Sequence, residues 1–190
     1  MSEQQREQTR QALQQAEYWW QQMHLPASEV KGIKAPSRYR AELRRCNTAD
    51  AAMLTEGFRT LWLALPESVR LQRPYSIEAW ATVAAVLAHI TDAQSCSFGA
   101  SLGQWDSKTD KAVVSELRLQ QLQGARSSQD FFRRLHRLVK QLGGKANPKV
   151  LTQDILDWFD EHYSQQPRRA DKRVAVRWAL DYFSLQPKKA

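Results

Sequence analysis

Phe131-Phe132-Arg133-Arg134-Leu135-His136-Arg137-Leu138-Val139-Lys140-Gln141-Leu142 is the stretch from which the rest of the chain can be read. At helical spacing Phe132, Leu135, Leu138, Val139 and Leu142 fall on one side, the pattern of a core-facing stripe. Arg133, Arg137 and Lys140 follow i, i+4, i+7 on another side, with Arg134 beside them. Like charges at i, i+4 repel, at a cost of roughly 0.2–0.5 kcal/mol per pair in an isolated helix. Asp130 is the only acid in the segment. It stands at the start, where it suits the helix dipole and leaves the basic row uncompensated. Gly143-Gly144 then offers a stop in which a glycine takes positive φ. One face anchors the helix in a core; the other asks for an anionic partner.

Charge elsewhere is segregated in the same way. The chain has 190 residues and a net charge of +8. Residues 31–45 carry six Lys/Arg against one acid, residues 111–145 eight against two, and residues 167–189 seven against two. The intervening blocks 1–30, 46–110 and 146–166 are each net acidic. Three basic blocks in an otherwise acidic chain read as parts of one patch for a polyanion. Seven tryptophans argue against disorder. No apolar run is long enough for a membrane helix, and the polar start from Met1 to Arg10 lacks a signal-peptide core. Cys46 and Cys96 have no metal-ligand spacing, and reduced thiols in a cytoplasmic protein account for them.

Working outward, periodicity predicts about eight helices and no strand. Residues 3–23 place Leu13, Ala16, Trp20 and Met23 on one face, and Pro26 ends that helix. After a basic loop, Ser37 caps a short helix through Arg45, with Tyr39, Leu43 and Cys46 inward and the arginines outward. Ala49 to Leu65 reads as one helix, and Ile77 to Ile90, apolar nearly all round, as the centre of a bundle with His89 in its core. Ser95 to Ser107, with Gly99 and Gly103, reads as a linker between an N-terminal subdomain, 1–100, and a C-terminal subdomain, 101–190, that carries the basic face. A helix from Ser107 or Thr109 to Gln123 follows, then the organising helix. Leu151 to Tyr163 turns Ile155, Trp158, Phe159 and His162 inward, leaving Asp154, Asp157, Asp160 and Glu161 as an acidic solvated or docking face. The last helix, Ala170 to Ser184, buries Val174, Trp178, Leu180 and Tyr182 or Phe183. The fold class is all-α, a helical bundle of two packed subdomains.

The catalytic signatures are missing: no glycine-rich phosphate loop, no HExxH, no CxxC pair and no nucleophile elbow. His24, His89, His136 and His162 lie on four different helices without a neighbouring nucleophile. No catalytic residue, metal or cofactor is expected. Binding is favoured over catalysis.

Several segments, in order along the chain, resemble the small subunit (CasB) of the type I-E CRISPR Cascade surveillance complex. They are Ala41-Glu42-Leu43-Arg44-Arg45, Ser101-Leu102-Gly103, the Arg118-to-Arg126 segment, Phe132-Arg133-Arg134-Leu135, and the Trp158 helix with the basic Arg168–Arg173 stretch after it. The resemblance implies a non-catalytic helical subunit, present as two copies in a ribonucleoprotein with other Cascade subunits and a guide RNA. There it would stabilise the R-loop and help hold the displaced single-stranded DNA during antiviral defence, contacting backbone phosphates without sequence preference. It implies Arg45, Arg118, Arg126, Arg133, Arg134 and Arg173 as strand contacts, with Arg44, Arg137, Lys140 and Lys172 in support. The alternative is a helical scaffold or adaptor that docks its basic faces on acidic partner proteins.

Overall fold

The computed structural model describes residues 3–186. The chain divides into two compact units, Met1–His89 and Ile90–Ala190. No helix among the described residues is long and apolar enough to cross a membrane.

The first unit consists of α1 (Glu3–His24), α2 (Ser37–Arg45), α3 (Ala49–Met53), α4 (Glu56–Ala64), α5 (Glu67–Arg70) and α6 (Ser76–Leu87). α6 is the centre expected from its composition: every residue from Ala79 to Leu87 is buried, and His89 behind it as well. α1 packs through Ala12, Ala16, Trp19, Trp20 and Met23, a single stripe at helical spacing. Burying one side chain of this class fully contributes about 1.5–3 kcal/mol. The expected helix over 49–65 is broken, because Thr55 turns extended and caps a new helix. Its hydroxyl accepts the Phe58 amide at 3.2 Å and donates to the Ala52 carbonyl at 2.7 Å. Ser37 is the first residue of α2 rather than its cap; Pro36 holds that place.

The second unit runs β1 (Asp92–Ala93), α7 (Phe98–Gly103), β2 (Trp105–Asp106), β3 (Lys111–Ala112), α8 (Glu116–Gln123), α9 (Ser128–Gln141), β4 (Lys145–Ala146), α10 (Pro148–Tyr163) and α11 (Val174–Ser184), with a 3-10 turn at Ala170–Lys172. All eight expected helices are present. The additional three, bringing the described residues to eleven, are the second half of the broken helix, α5 and α7. Four two-residue strands also form: β1 pairs parallel with β4, and β2 antiparallel with β3. The β2–β3 hairpin replaces the start of the helix expected from residue 107 or 109, so Lys111 lies on a strand.

The middle of the stretch expected to be a linker, Phe98–Gly103, is closely packed. Phe98, Gly99, Ser101, Leu102 and Gly103 are all buried on α7. A Cβ on Gly99 would meet the Trp178 carbonyl oxygen at 2.5 Å, and one on Gly103 would collide with the Tyr182 backbone. These glycines permit two helix backbones to touch, which is the opposite of flexibility. Around that contact Phe131 stacks on Trp158 at 3.9 Å, Phe98 meets Trp178 edge-on at 5.4 Å, and the Tyr182 hydroxyl donates to the Val114 carbonyl at 2.8 Å. On α11 Val174, Trp178 and Tyr182 face inward, whereas Leu180 and Phe183 are exposed.

Candidate nucleic-acid interface

α8 and α9 form an antiparallel pair joined by the turn Gly124–Ser127. Ser127 caps α9 by accepting the Asp130 amide at 3.1 Å. Phe131, Phe132, Leu135, His136, Leu138 and Val139 are buried, a wider inner face than the sequence stripe because Phe131 joins it. Gly143 and Gly144 take φ of 65° and 77° and end the helix as expected.

With most of that face committed to the core, the polar side chains of the two helices, over the edge of the core at Leu138, line a groove of about 320 Å³. Its walls are Arg118 and Gln121 from α8 and Arg134, Arg137, Leu138 and Gln141 from α9. Gln141 bridges its end, with its carbonyl accepting from the Arg118 guanidinium and its amide donating to the Val113 carbonyl at 2.9 Å. Arg134 donates to the Gln121 carbonyl and, through Nε, to Asp130 at 2.8 Å; Arg133 reaches the same carboxylate oxygen at 2.9 Å. Asp130 therefore does more than complement the helix dipole. Desolvation works to raise its pKa, but hydrogen bonds and charge from Arg134 and Arg133 outweigh it and hold the carboxyl below its ordinary value. The row on α9 is thus partly compensated, two guanidinia sharing one carboxylate. Arg126, Arg137 and Lys140 are exposed and, among the described residues, have no carboxylate partner. Arg118 rests on a neutral amide, so its charge is not cancelled.

The third basic block behaves differently. Arg168 is held by Asp157 at 2.9 Å and Asp160 at 3.3 Å, and Arg177 by Asp154 at 2.9 Å and Asp157 at 2.8 Å. Arg169 pairs with Asp171. The acids of α10 are therefore not a solvated face. Asp154 is buried and also accepts the Trp178 indole N–H at 2.7 Å, and Glu161 accepts the Val174 amide at 3.0 Å, capping α11. Besides the exposed but paired Arg169, Arg173 stands outward with its Nε on the Arg168 carbonyl, and Lys172 with a loose pairing to Asp171 at 3.9 Å. His162 is exposed, stacked on Trp158 at 4.7 Å, instead of inward. Arg44 and Arg45 stand exposed in the last turn of α2, in the first unit.

Burial pushes the Asp154 carboxyl up to about 6, assisted by Asp157 and Asp181 and opposed by Trp178 and Arg177. Since the folded pKa lies above the unfolded one of about 4, the native state holds the extra proton between those values. Ionisation of this group therefore costs stability as pH rises from about 4 to about 6. Asp154→Asn keeps an acceptor for Trp178 and removes the titration. The gain in melting temperature between pH 7 and pH 5 is expected to be smaller in the variant than in the wild type, as followed by circular dichroism; an unchanged difference would contradict this account.

The histidines do not assemble into a site. Burial, with Arg40 and Arg44 nearby, pushes His24 down to about 4, and burial with Lys140 does the same for His136. Among the described residues no three His, Cys, Asp or Glu side chains are grouped to hold a metal ion. Of the ten expected contact residues, the groove gathers Arg118, Arg134 and Arg137; Arg133 and Lys140 lie elsewhere on α9, and Arg126 in the turn that joins the two helices. The amides Gln121 and Gln141 carry no charge to mark them in the sequence, although Arg134, Arg137, Leu138 and Gln141 share the i, i+3, i+4, i+7 spacing of one helix face.

The chain is an all-α protein that carries a groove of arginines and amides between α8 and α9. Residues 39–183 match the family described as CRISPR-associated protein Cse2, and the chain belongs to that family, the small subunits of type I-E Cascade. No curated protein and no solved structure matches. The matched span begins in α2 and ends within α11, so α1 precedes it. The chain is a CRISPR Cascade subunit and acts in a complex with other subunits.

Proposed function

We propose that this subunit binds nucleic-acid backbone without sequence specificity and without catalysis, and that within Cascade it stabilises the R-loop and the displaced strand in the cytoplasm. Two copies would act beside the other subunits and the guide RNA. The observation that carries the reading is the α8–α9 groove, in which Arg118 and Arg137 keep uncancelled charge while the arginines of the third block are mostly held by carboxylates. Arginines paired with phosphates serve any sequence, and strand exchange in an R-loop is so nearly balanced that backbone contacts tip it. Arg126, Arg133, Lys140, Lys172 and Arg173 would extend the contact beyond the groove, and Arg44 and Arg45 would give the first unit a backbone contact of its own.

The test is binding of the purified chain to single-stranded DNAs of unrelated sequence across a salt series. Similar affinities for every sequence are expected, with log K falling linearly as log salt rises, at a slope of about −0.7 per phosphate neutralised. Absence of binding at low salt by a folded protein would favour the adaptor, whose basic faces meet acidic proteins.

A further inference from the structure

Trp105 stands apart from the other tryptophans. Trp19, Trp20, Trp80, Trp158 and Trp178 are buried and Trp62 is half-buried, whereas Trp105 is 40% exposed on the first strand of the β2–β3 hairpin. Among the described residues no ring stacks on its indole and no acceptor engages its Nε1. A large ring left in water on a two-residue strand does nothing for the core, since its partner across the hairpin is only Ala112.

The hairpin is nevertheless firmly placed. Asp106 accepts the Lys108 amide at 2.9 Å and the Thr109 hydroxyl at 3.1 Å, closing the turn, and Asp110 takes the left-handed φ of 53° that the turn requires. At its root the Val113 amide donates to the Gln104 carbonyl at 2.8 Å, while the Val113 carbonyl accepts from Gln141, the residue that closes the end of the arginine groove. The hairpin carrying Trp105 is thus joined to the groove through one residue. Its own charge is balanced, Lys108 and Lys111 against Asp106 and Asp110. It adds little attraction for phosphate; what it adds is an exposed aromatic ring on a hairpin whose root is hydrogen-bonded to Gln141 of the groove.

We propose that Trp105 is a stacking platform for an unpaired nucleobase of the strand whose backbone occupies the α8–α9 groove. The inference rests on the backbone-binding reading above and deepens it: the ligand is a single strand with its bases free, not a duplex. Stacking on an aromatic side chain is sequence-tolerant, because every base offers a π-face, and is independent of counterion release.

The experiment compares the full-length wild type, Trp105→Phe and Trp105→Leu for binding oligothymidylate and a strand of equal length and charge made of abasic units. Trp105→Leu should bind oligothymidylate on the order of 5- to 150-fold more weakly. Trp105→Phe should keep most of the affinity, all three proteins should bind the abasic strand alike, and the salt slope should not change. Oligothymidylate should quench tryptophan emission in the wild type and leave Trp105→Leu largely unquenched. If wild type and Trp105→Leu bind oligothymidylate equally, the platform is overturned and the groove reading stands. Equal losses on both strands also overturn it, because an abasic strand offers nothing to stack. If the folded wild type binds neither strand at low salt, the groove reading falls too.

Discussion

Alanine at both Arg118 and Arg137 is expected to weaken single-strand binding on the order of a hundredfold at low salt. The two are the groove's least compensated charges, one on a glutamine and the other without a carboxylate among the described residues. A hydrogen bond to a charged group contributes about 1.5–3 kcal/mol, so losing two suffices for that factor. The salt dependence is the sharper readout: each lost phosphate contact flattens the slope by about 0.7, so the double variant should be shallower by about 1.4. Arg169→Ala is the matched control, because Arg169 is exposed but already pairs with Asp171 at 2.6 Å. A double variant with the wild-type slope would remove the groove from the interface. A flattening of about 0.7 by Arg169→Ala, half that of the double variant, would mean that net charge matters and the groove does not.

Gly103→Val is expected to lower the melting temperature by on the order of 10 °C or to prevent folding of the second unit. Overpacking a filled site costs about 1–3 kcal/mol, occasionally more. Here the obstacle is the Tyr182 backbone, which cannot rotate aside as a side chain would. For a chain of this size each kcal/mol lost moves the transition by roughly 2–4 °C. Tyr182 shares α11 with Trp178, which packs on Phe98 and Phe131, so the loss should spread through the aromatic core. Thermal and urea unfolding both report it; a midpoint within a degree of wild type would show that the helices have room to separate.

Helix periodicity is a short-range signal, and it carried most of the architecture. α1, α6, α9 and α10 bury one stripe or a whole circumference, and their apolar residues repeat accordingly. The misreadings share a cause: the deciding partner lies far along the chain or acts only through the backbone. Met53, Phe58 and Leu61 look continuous across Thr55 because a cap interrupts hydrogen bonding without interrupting the apolar pattern. Gly99 and Gly103 have the composition of a linker, and only the proximity of α11 reveals them as contact points. Asp154 and Asp157 meet Arg177 from more than a helix away, so charge counting by segment overstated the third block. The groove is half legible in the sequence: charge marks Arg134 and Arg137, while the uncharged Gln121 and Gln141 acquire meaning only from the two helices lying side by side.

The bridge from Val113 through Gln141 to Arg118 bears on the kinetics of encounter. A freely rotating arginine surrenders rotamer entropy when it grips a ligand, about 0.5–1.5 kcal/mol for a side chain of this kind. Arg118 has already surrendered it on folding, to a neutral partner that a phosphate can displace without separating an ion pair. Arg137, unrestrained, can reach out first. On the backbone-binding reading proposed above, an arriving strand would meet one arm without a partner among the described residues and one already held in place, a division of labour suited to quick engagement followed by slow release.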